Sequence, residues 1–250
     1  MLNQTIEKLS QMKLYTMATA VQEQLEKPSL SSLGFEDRFA MIVDREWTSR
    51  EDRKLSRRLK TARLRTQATI EDIDYQHPRG LDKSVIRSLA SCQWIRSHQN
   101  VIITGPTGIG KTYLAEAFPN KACREGFTAV YYRATRLFGE LEIARGDGSY
   151  FKLLAKLAKV DLLSVDDWAA DLLTEQERRD FLELMEDRHG LKATLITSQY
   201  PVTKWHDRIG EPTSADAILD RIVHNAHKIP LKGESMRKTK ANLTKTEHQK

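Results

Sequence analysis

Apolar residues at Leu2, Ile6 and Leu9, and again at Leu14, Met17, Val21 and Leu25, recur at helical spacing against a polar opposite face. The spacing predicts an amphipathic helix that stops at Pro28 and the loop "SLSSLG". A second stripe, Phe35, Phe39 and Ile42 and then Leu55, Leu59 and Ala62, is interrupted near Trp47, and most of the basic residues lie off it. Residues 1–66 therefore read as a small all-helical N-terminal domain. Residues 67–80, "QATIEDIDYQHPRG", carry no helical period and read as a linker with a short extended piece.

Beyond residue 81 the period alternates. A helix over 82–97 leads into the apolar run "NVIIT", a glycine-rich loop and a helix from Lys111. Strand "TAVYYR" is followed by helical "ATRLFGELEIAR" and "YFKLLAKLAK", parted by "GDG". Strand "VDLLSV", a helix from Thr174 to about His189, strand "ATLITS", two short helices and strand "HKIPL" complete the series. Strands alternating with helices predict an α/β fold, a parallel sheet with helices on both faces. Pro119 falls two turns into the helix from Lys111, where proline ends or kinks a helix.

Composition narrows the class. With 250 residues, 40% hydrophobic and 30% charged, the chain can bury a full α/β core, and no stretch reaches the length of a membrane span. The two cysteines, Cys92 and Cys123, lack metal-ligand spacing and read as buried thiols of a cytoplasmic protein. Charge matters through its placement. Residues 50–65 hold eight basic side chains against two acidic ones, and residues 232–250 hold six against two. Positive charge gathered in two places suits a polyanionic partner; the bland alternative is a solvated helix face and a loose tail.

"GPTGIGKT", from Gly105 to Thr112, fits the phosphate-loop pattern between an apolar strand and a helix. Gly105, Gly108 and Gly110, with Pro106, Thr107 and Ile109 between them, let backbone N–H groups surround phosphates. Lys111 brings an ammonium to the outer phosphates, and the Thr112 hydroxyl is a ligand for Mg2+. The expected ligand is thus ATP with magnesium. Further on, "VDLLSVDDW" ends an apolar strand in two carboxylates. Asp166 is expected to orient the metal through its water shell, and Asp167 to act as general base on the attacking water. For Asp167 the competing assignment is a helix cap or turn.

These motifs, together with "KACREGF", "RLFGELEIARGDGSYFKLLAKLAK" and the run from "LITSQYPV" to "GESMRK", resemble AAA+ ATPases of the DnaC/IstB type, IstB-like transposition helpers most closely. The resemblance covers nearly the whole chain. It implies a AAA+ domain over 81–233 and a basic tail over 234–250. Only 19 residues follow "HKIPL", too few for the C-terminal lid common in such ATPases. It further implies an ATPase that forms homo-oligomers on duplex DNA without strong sequence preference and serves a partner transposase. By the same resemblance Lys111 and Thr112 match Walker A, and Asp166 and Asp167 match Walker B. The Asp at 167, where most relatives carry Glu, is one methylene shorter and suggests slow hydrolysis. Gln199 matches sensor 1, with Ser198 as the other choice; Arg221 matches the arginine finger and Arg237 sensor 2. In the double helix at 134–158, Arg136, Arg145, Lys152 and Lys156 face DNA under this resemblance. Arg53, Arg57 and Arg58 in the first basic run are candidates for DNA phosphates, the alternative being an acidic protein partner. Two other functions remain open at this point: a DnaC-like helicase loader, and a nucleotide-gated scaffold with negligible turnover.

Overall fold

The computed structural model describes residues 2–30 and 32–236. Two compact units divide the chain, Met1–Arg57 and Arg58–Lys250.

The first unit is helical. Helix α1 (Leu2–Gln11) and α2 (Tyr15–Glu26) replace the single helix that the stripe predicts. Lys13 adopts a left-handed φ of 60°, and the Leu14 N–H reaches back to the Leu9 carbonyl at 2.9 Å, closing α1 with a local C-terminal cap. Helix α3 (Phe35–Thr61) begins in this unit and runs unbroken past Trp47, where the apolar pattern lapses. It is held by polar contacts as well as apolar ones. The buried Glu46 carboxylate accepts from the Met17 N–H at 2.9 Å and the Arg50 guanidinium at 2.7 Å, and Arg45 pairs with Glu23.

The second unit is built on five parallel strands: β1 (Asn100–Thr104), β2 (Ala129–Arg133), β3 (Leu162–Asp166), β4 (Ala193–Ser198) and β5 (Ala226–Pro230). Their spatial order is β2-β3-β4-β1-β5. The register places Tyr132, Val165, Ile196 and Ile102 in one row across the sheet. That row packs against α7 (Ala134–Asp147), α8 (Tyr150–Lys159), α9 (Glu175–Arg188), α10 (Trp205–Ile209) and α11 (Pro212–Val223) in one apolar core. Tyr131, Ser164, Leu195 and Val101 form the adjacent row, which by the two-residue period of a strand faces the other way. Helix α6 (Lys111–Arg124) covers that side. Helices on both faces match the fold that the alternation predicts.

Two local expectations differ. The helix expected over 82–97 is broken into α4 (Lys83–Ala90) and α5 (Gln93–Arg96), because Cys92 turns left-handed and the Trp94 indole takes the Leu89 carbonyl. Residues 58–80, which read as the end of the helical domain and the linker, fall within the second unit. Ala62 accepts from the Tyr131 N–H, and the Glu116 carboxylate of α6 accepts from the N–H groups of Arg65 and Thr66 and from the Thr66 hydroxyl. Cys92 and Cys123 are buried, and burial pushes both thiols up to about 11. Among the described residues no helix is long and apolar enough to cross a membrane.

Helix α6 continues through Pro119 instead of ending there. Proline has no N–H to give the carbonyl four residues back, which is that of Ala115. The buried Ser164 hydroxyl of β3 donates to that carbonyl at 2.7 Å and supplies the missing partner. Ser164→Ala is therefore expected to destabilise the protein by about 1–3 kcal/mol, the cost of an orphaned buried carbonyl. With Pro119→Ala, which restores the N–H, the same change is expected to cost well under half as much. Urea denaturation of the four proteins measures this, and equal costs in the two backgrounds would refute the compensation.

Candidate functional site

Strand β1 ends at Thr104 and α6 begins at Lys111, so residues 105–110 form the turn between them at the C-terminal edge of the sheet. Gly108 (φ 83°) and Gly110 (φ 99°) are left-handed, and at each a side chain is excluded twice over. A Cβ at 110 would collide with the Arg79 guanidinium, and one at 108 with the Ser235 side chain. The loop is also held by its backbone: the Gly105 N–H donates to the Ser198 carbonyl at 3.2 Å, and the Gly108 carbonyl accepts from the Met236 N–H at 3.0 Å. The Lys111 ammonium donates to the carbonyls of Gly105 (2.8 Å) and Pro106 (3.0 Å).

A cavity of about 450 Å3 opens against this loop, bounded by Thr107, Gly108, Gly110, Lys111, Thr112 and Asp167 among others. Both ends of the predicted phosphate site, the Lys–Thr pair and the second carboxylate, thus meet in one space. Asp166 lies directly behind. It is fully buried, and its carboxylate accepts from the Tyr131 hydroxyl at 2.9 Å and from the Thr197 hydroxyl. Burial, with Asp166 adding to it, pushes the Tyr131 phenol well above its ordinary value, so this donor stays protonated. Asp167 is exposed and left-handed (φ 57°), a conformation that Asp tolerates better than most residues. Its N–H is held by the Thr197 hydroxyl at 3.2 Å.

The other expected site residues fall in different places. Gln199 is at the loop, its side-chain carbonyl accepting from the Thr107 hydroxyl at 3.2 Å; Ser198 is buried in β4. Arg221 is not among the residues bounding the cavity. Its guanidinium donates to the Ala217 carbonyl and to Glu186, both at 2.7 Å, and its own carbonyl accepts from Asn100, where β1 starts. Arg237 and the rest of the basic tail lie outside the described residues, although Met236, which precedes Arg237, bounds the cavity. Arg136, Lys152 and Lys156 are exposed on α7 and α8. Arg145 pairs with buried Asp180 and lies 3.7 Å from the centre of the Tyr150 ring. Arg58 donates to the Cys123 carbonyl at 2.9 Å, and Arg53 stands 3.6 Å from Glu46. Internal bonds therefore engage Arg53, Arg58 and Arg145, three of the residues read as facing DNA.

Sequence reading missed part of the wall: Thr66, Asp74, Arg79, Glu116 and Arg133 all bound the cavity. Arg133 stands opposite Asp166 in the strand register, at the last position of β2. A basic residue ending the strand beside the acidic one was the available signal. Arg79 and Glu116 had none, because each acts across more than 25 residues of chain. Thr197 joins the two carboxylate residues, so Thr197→Val is expected to lower stability by about 1.5–3 kcal/mol, the range for a lost bond to a charged group. Urea denaturation reads it, and a change under about 0.5 kcal/mol, the size of a neutral surface substitution, would remove Thr197 from the site's framework.

Comparison with known proteins bears on this geometry directly. Residues 7–244 match the family model described as IstB-like ATP binding protein. A protein of Sinorhizobium fredii named as an insertion sequence ATP-binding protein is 48% identical over 94% of this chain and 96% of its own length. Among solved structures, AMPPCP-bound DnaA from Aquifex aeolicus superposes with a TM-score of 0.57 at 18% identity, covering 73% of this chain and 56% of that one. The DnaC helicase loader gives 0.53 at 20%, covering 66% and 97%. The five-stranded sheet with its phosphate loop is thus the AAA+ fold of the DnaA/DnaC type, and the chain belongs to the IstB-like ATP-binding proteins of insertion sequences.

Proposed function

We propose that this protein is an ATPase that assembles on duplex DNA and acts as helper to the transposase of an insertion sequence. The observation that carries the reading is the single cavity in which Lys111, Thr112 and Asp167 meet at the C-terminal edge of the sheet. Loop amides and the Lys111 ammonium bind the triphosphate. Thr112 and the carboxylate of Asp166 are hard oxygen donors of the kind Mg2+ takes, Asp166 acting through the ion's water, and the ion would neutralise charge on the phosphates. Asp167, exposed at the cavity wall, accepts the proton of the water that attacks the γ-phosphate. The bond from phosphorus to the bridging oxygen breaks, and ADP and phosphate leave. Gln199, whose side-chain carbonyl accepts from the Thr107 hydroxyl of the loop, would orient that water.

Arg221 lies away from its own chain's cavity, which supports a role toward the nucleotide of a neighbouring copy. ATP between copies would then drive assembly, and hydrolysis would end it. On the DNA side, Arg136, Lys152 and Lys156 are exposed on α7 and α8, and the basic tail beyond Arg237 supplies more cations, Arg237 itself being kept as sensor 2 toward the nucleotide. Contacts of this kind go to phosphates and carry no sequence information. The likeness to the DnaC loader is one of fold, whereas the insertion-sequence relative aligns nearly end to end, which favours the transposase partner.

Lys111→Ala is expected to abolish ATP binding by calorimetry, and with it assembly on DNA. Asp167→Asn should keep ATP binding and lose phosphate release; unchanged release would mean that turnover is negligible and the protein is a gated scaffold. For Arg221→Ala the expected result is intact binding of nucleotide by the monomer with hydrolysis lowered about 10³-fold, the lower range for an arginine finger. Equal loss of both would reject that role. If about six phosphates are neutralised, log K for duplex DNA falls with log salt at a slope of about −5, and a slope near zero would remove DNA as the main partner.

A further inference from the structure

Arg79 is only 2% exposed, yet no carboxylate pairs with its guanidinium among the described residues. Its bonds go to three separate stretches of chain. Nη1 donates to the Ile109 carbonyl of the phosphate loop at 2.9 Å and lies 3.2 Å from the Met236 sulfur. Nη2 donates to the Asp74 carbonyl at 2.8 Å, and the Arg79 carbonyl accepts from the Lys232 N–H at 3.0 Å. Nε is buried and has no hydrogen-bond partner among the described residues.

The stretch after β5 is fixed at further points, to the end of β1, to the loop and to residue 77. Leu231 donates to the Thr104 carbonyl, Met236 donates to the Gly108 carbonyl, and the Glu234 carbonyl meets the His77 ring at 3.1 Å. The loop's three glycines are contact points: Gly110 makes room for Arg79, Gly108 for Ser235 and Gly105 for Leu231. Phosphates bind to loop N–H groups, whereas these partners hold the carbonyls, so the same peptide units are shared between ligand and chain. A buried cation with no carboxylate partner gains from a polyanion arriving in the cavity that Arg79 itself helps to bound.

We propose that Arg79 is a positioning residue that couples the phosphate loop to residues 231–236, so that nucleotide in the loop and the path of the chain after β5 are set together. The proposal rests on the reading of the loop as an ATP site. It gives ATP a route to the stretch that leads directly into Arg237 and the basic tail, with no contact between nucleotide and tail required.

The test is hydrogen exchange on the peptide 231–237 in the full-length protein, with and without saturating ATP and Mg2+, alongside calorimetry of ATP binding. In the natural sequence ATP is expected to slow exchange of this peptide about tenfold, the effect of firming one hydrogen bond to a charged group. Arg79→Met is expected to bind ATP about tenfold more weakly and, once saturated, to show no slowing; Arg79→Lys, which keeps the charge but not the fork, should recover part of it. Met236→Ala, which removes only the thioether, should reduce the slowing and serves if Arg79→Met does not fold. ATP binding by the natural sequence with no change in the peptide would overturn the coupling and leave the proposed function standing. So would full slowing in saturated Arg79→Met. Failure of the natural sequence to bind ATP would overturn the functional reading itself.

Discussion

A carboxylate without solvent exposure stands at the end of β3, and the arrangement of the site depends on how it is satisfied. Burying a charge is expensive unless hydrogen bonds replace its water. Asp166 obtains them from Tyr131 on β2 and Thr197 on β4, so one group joins three neighbouring strands. Thr197 then does more: its hydroxyl receives the Asp167 N–H, and its carbonyl receives the Trp168 N–H at 2.8 Å. The chain leaves the sheet in a left-handed turn that puts Asp167 on the cavity and Trp168 into the core against Phe181 and Trp205. The position of the second carboxylate is thus a consequence of how the first is buried.

The same strand controls the other half of the site. Ser164 lies two residues before Asp166 and therefore on the same side of the sheet, where its hydroxyl takes the carbonyl that Pro119 leaves open in α6. The helix carrying Lys111 and Thr112 is bonded to the strand carrying the two aspartates by a side chain, in addition to apolar packing. A proline that looks like a fault in the helix becomes a point of attachment, because the carbonyl it frees has a donor waiting on the neighbouring strand.

How much of this was legible follows from the range of the interactions. The phosphate loop is a local object, fixed by glycines whose φ values only they adopt easily, so eight consecutive letters sufficed. The strands were legible for the same reason: all five apolar runs occur where expected, shifted by at most two residues. The breaks at Lys13 and Cys92 were not, because each is a single left-handed residue with no glycine to mark it. Nor was the second wall of the cavity. Arg79 meets Met236 across 157 residues and Glu116 meets Thr66 across 50, and Arg79 and Thr66 lie in or beside a stretch that lacks any period and so reads as linker. A segment can be irregular in sequence and still be tightly held when the residues that hold it belong to other elements.

Counting charges along the sequence overstates what a surface offers to DNA, and the first basic run shows why. Arg50 and Arg53 share Glu46, Lys54 pairs with Glu51, and Arg63 pairs with Glu140 beside the Tyr132 hydroxyl. Such pairs largely cancel at a distance. Arg58 is different, since its partner is the neutral Cys123 carbonyl. Its charge would still contribute to a field that favours a polyanion, although its Nε–H is no longer available to a phosphate. Arg57, Lys60 and Arg65 of the same run are exposed, as are Arg136, Lys152 and Lys156 on α7 and α8, so under the proposed function both regions would offer cations to phosphate.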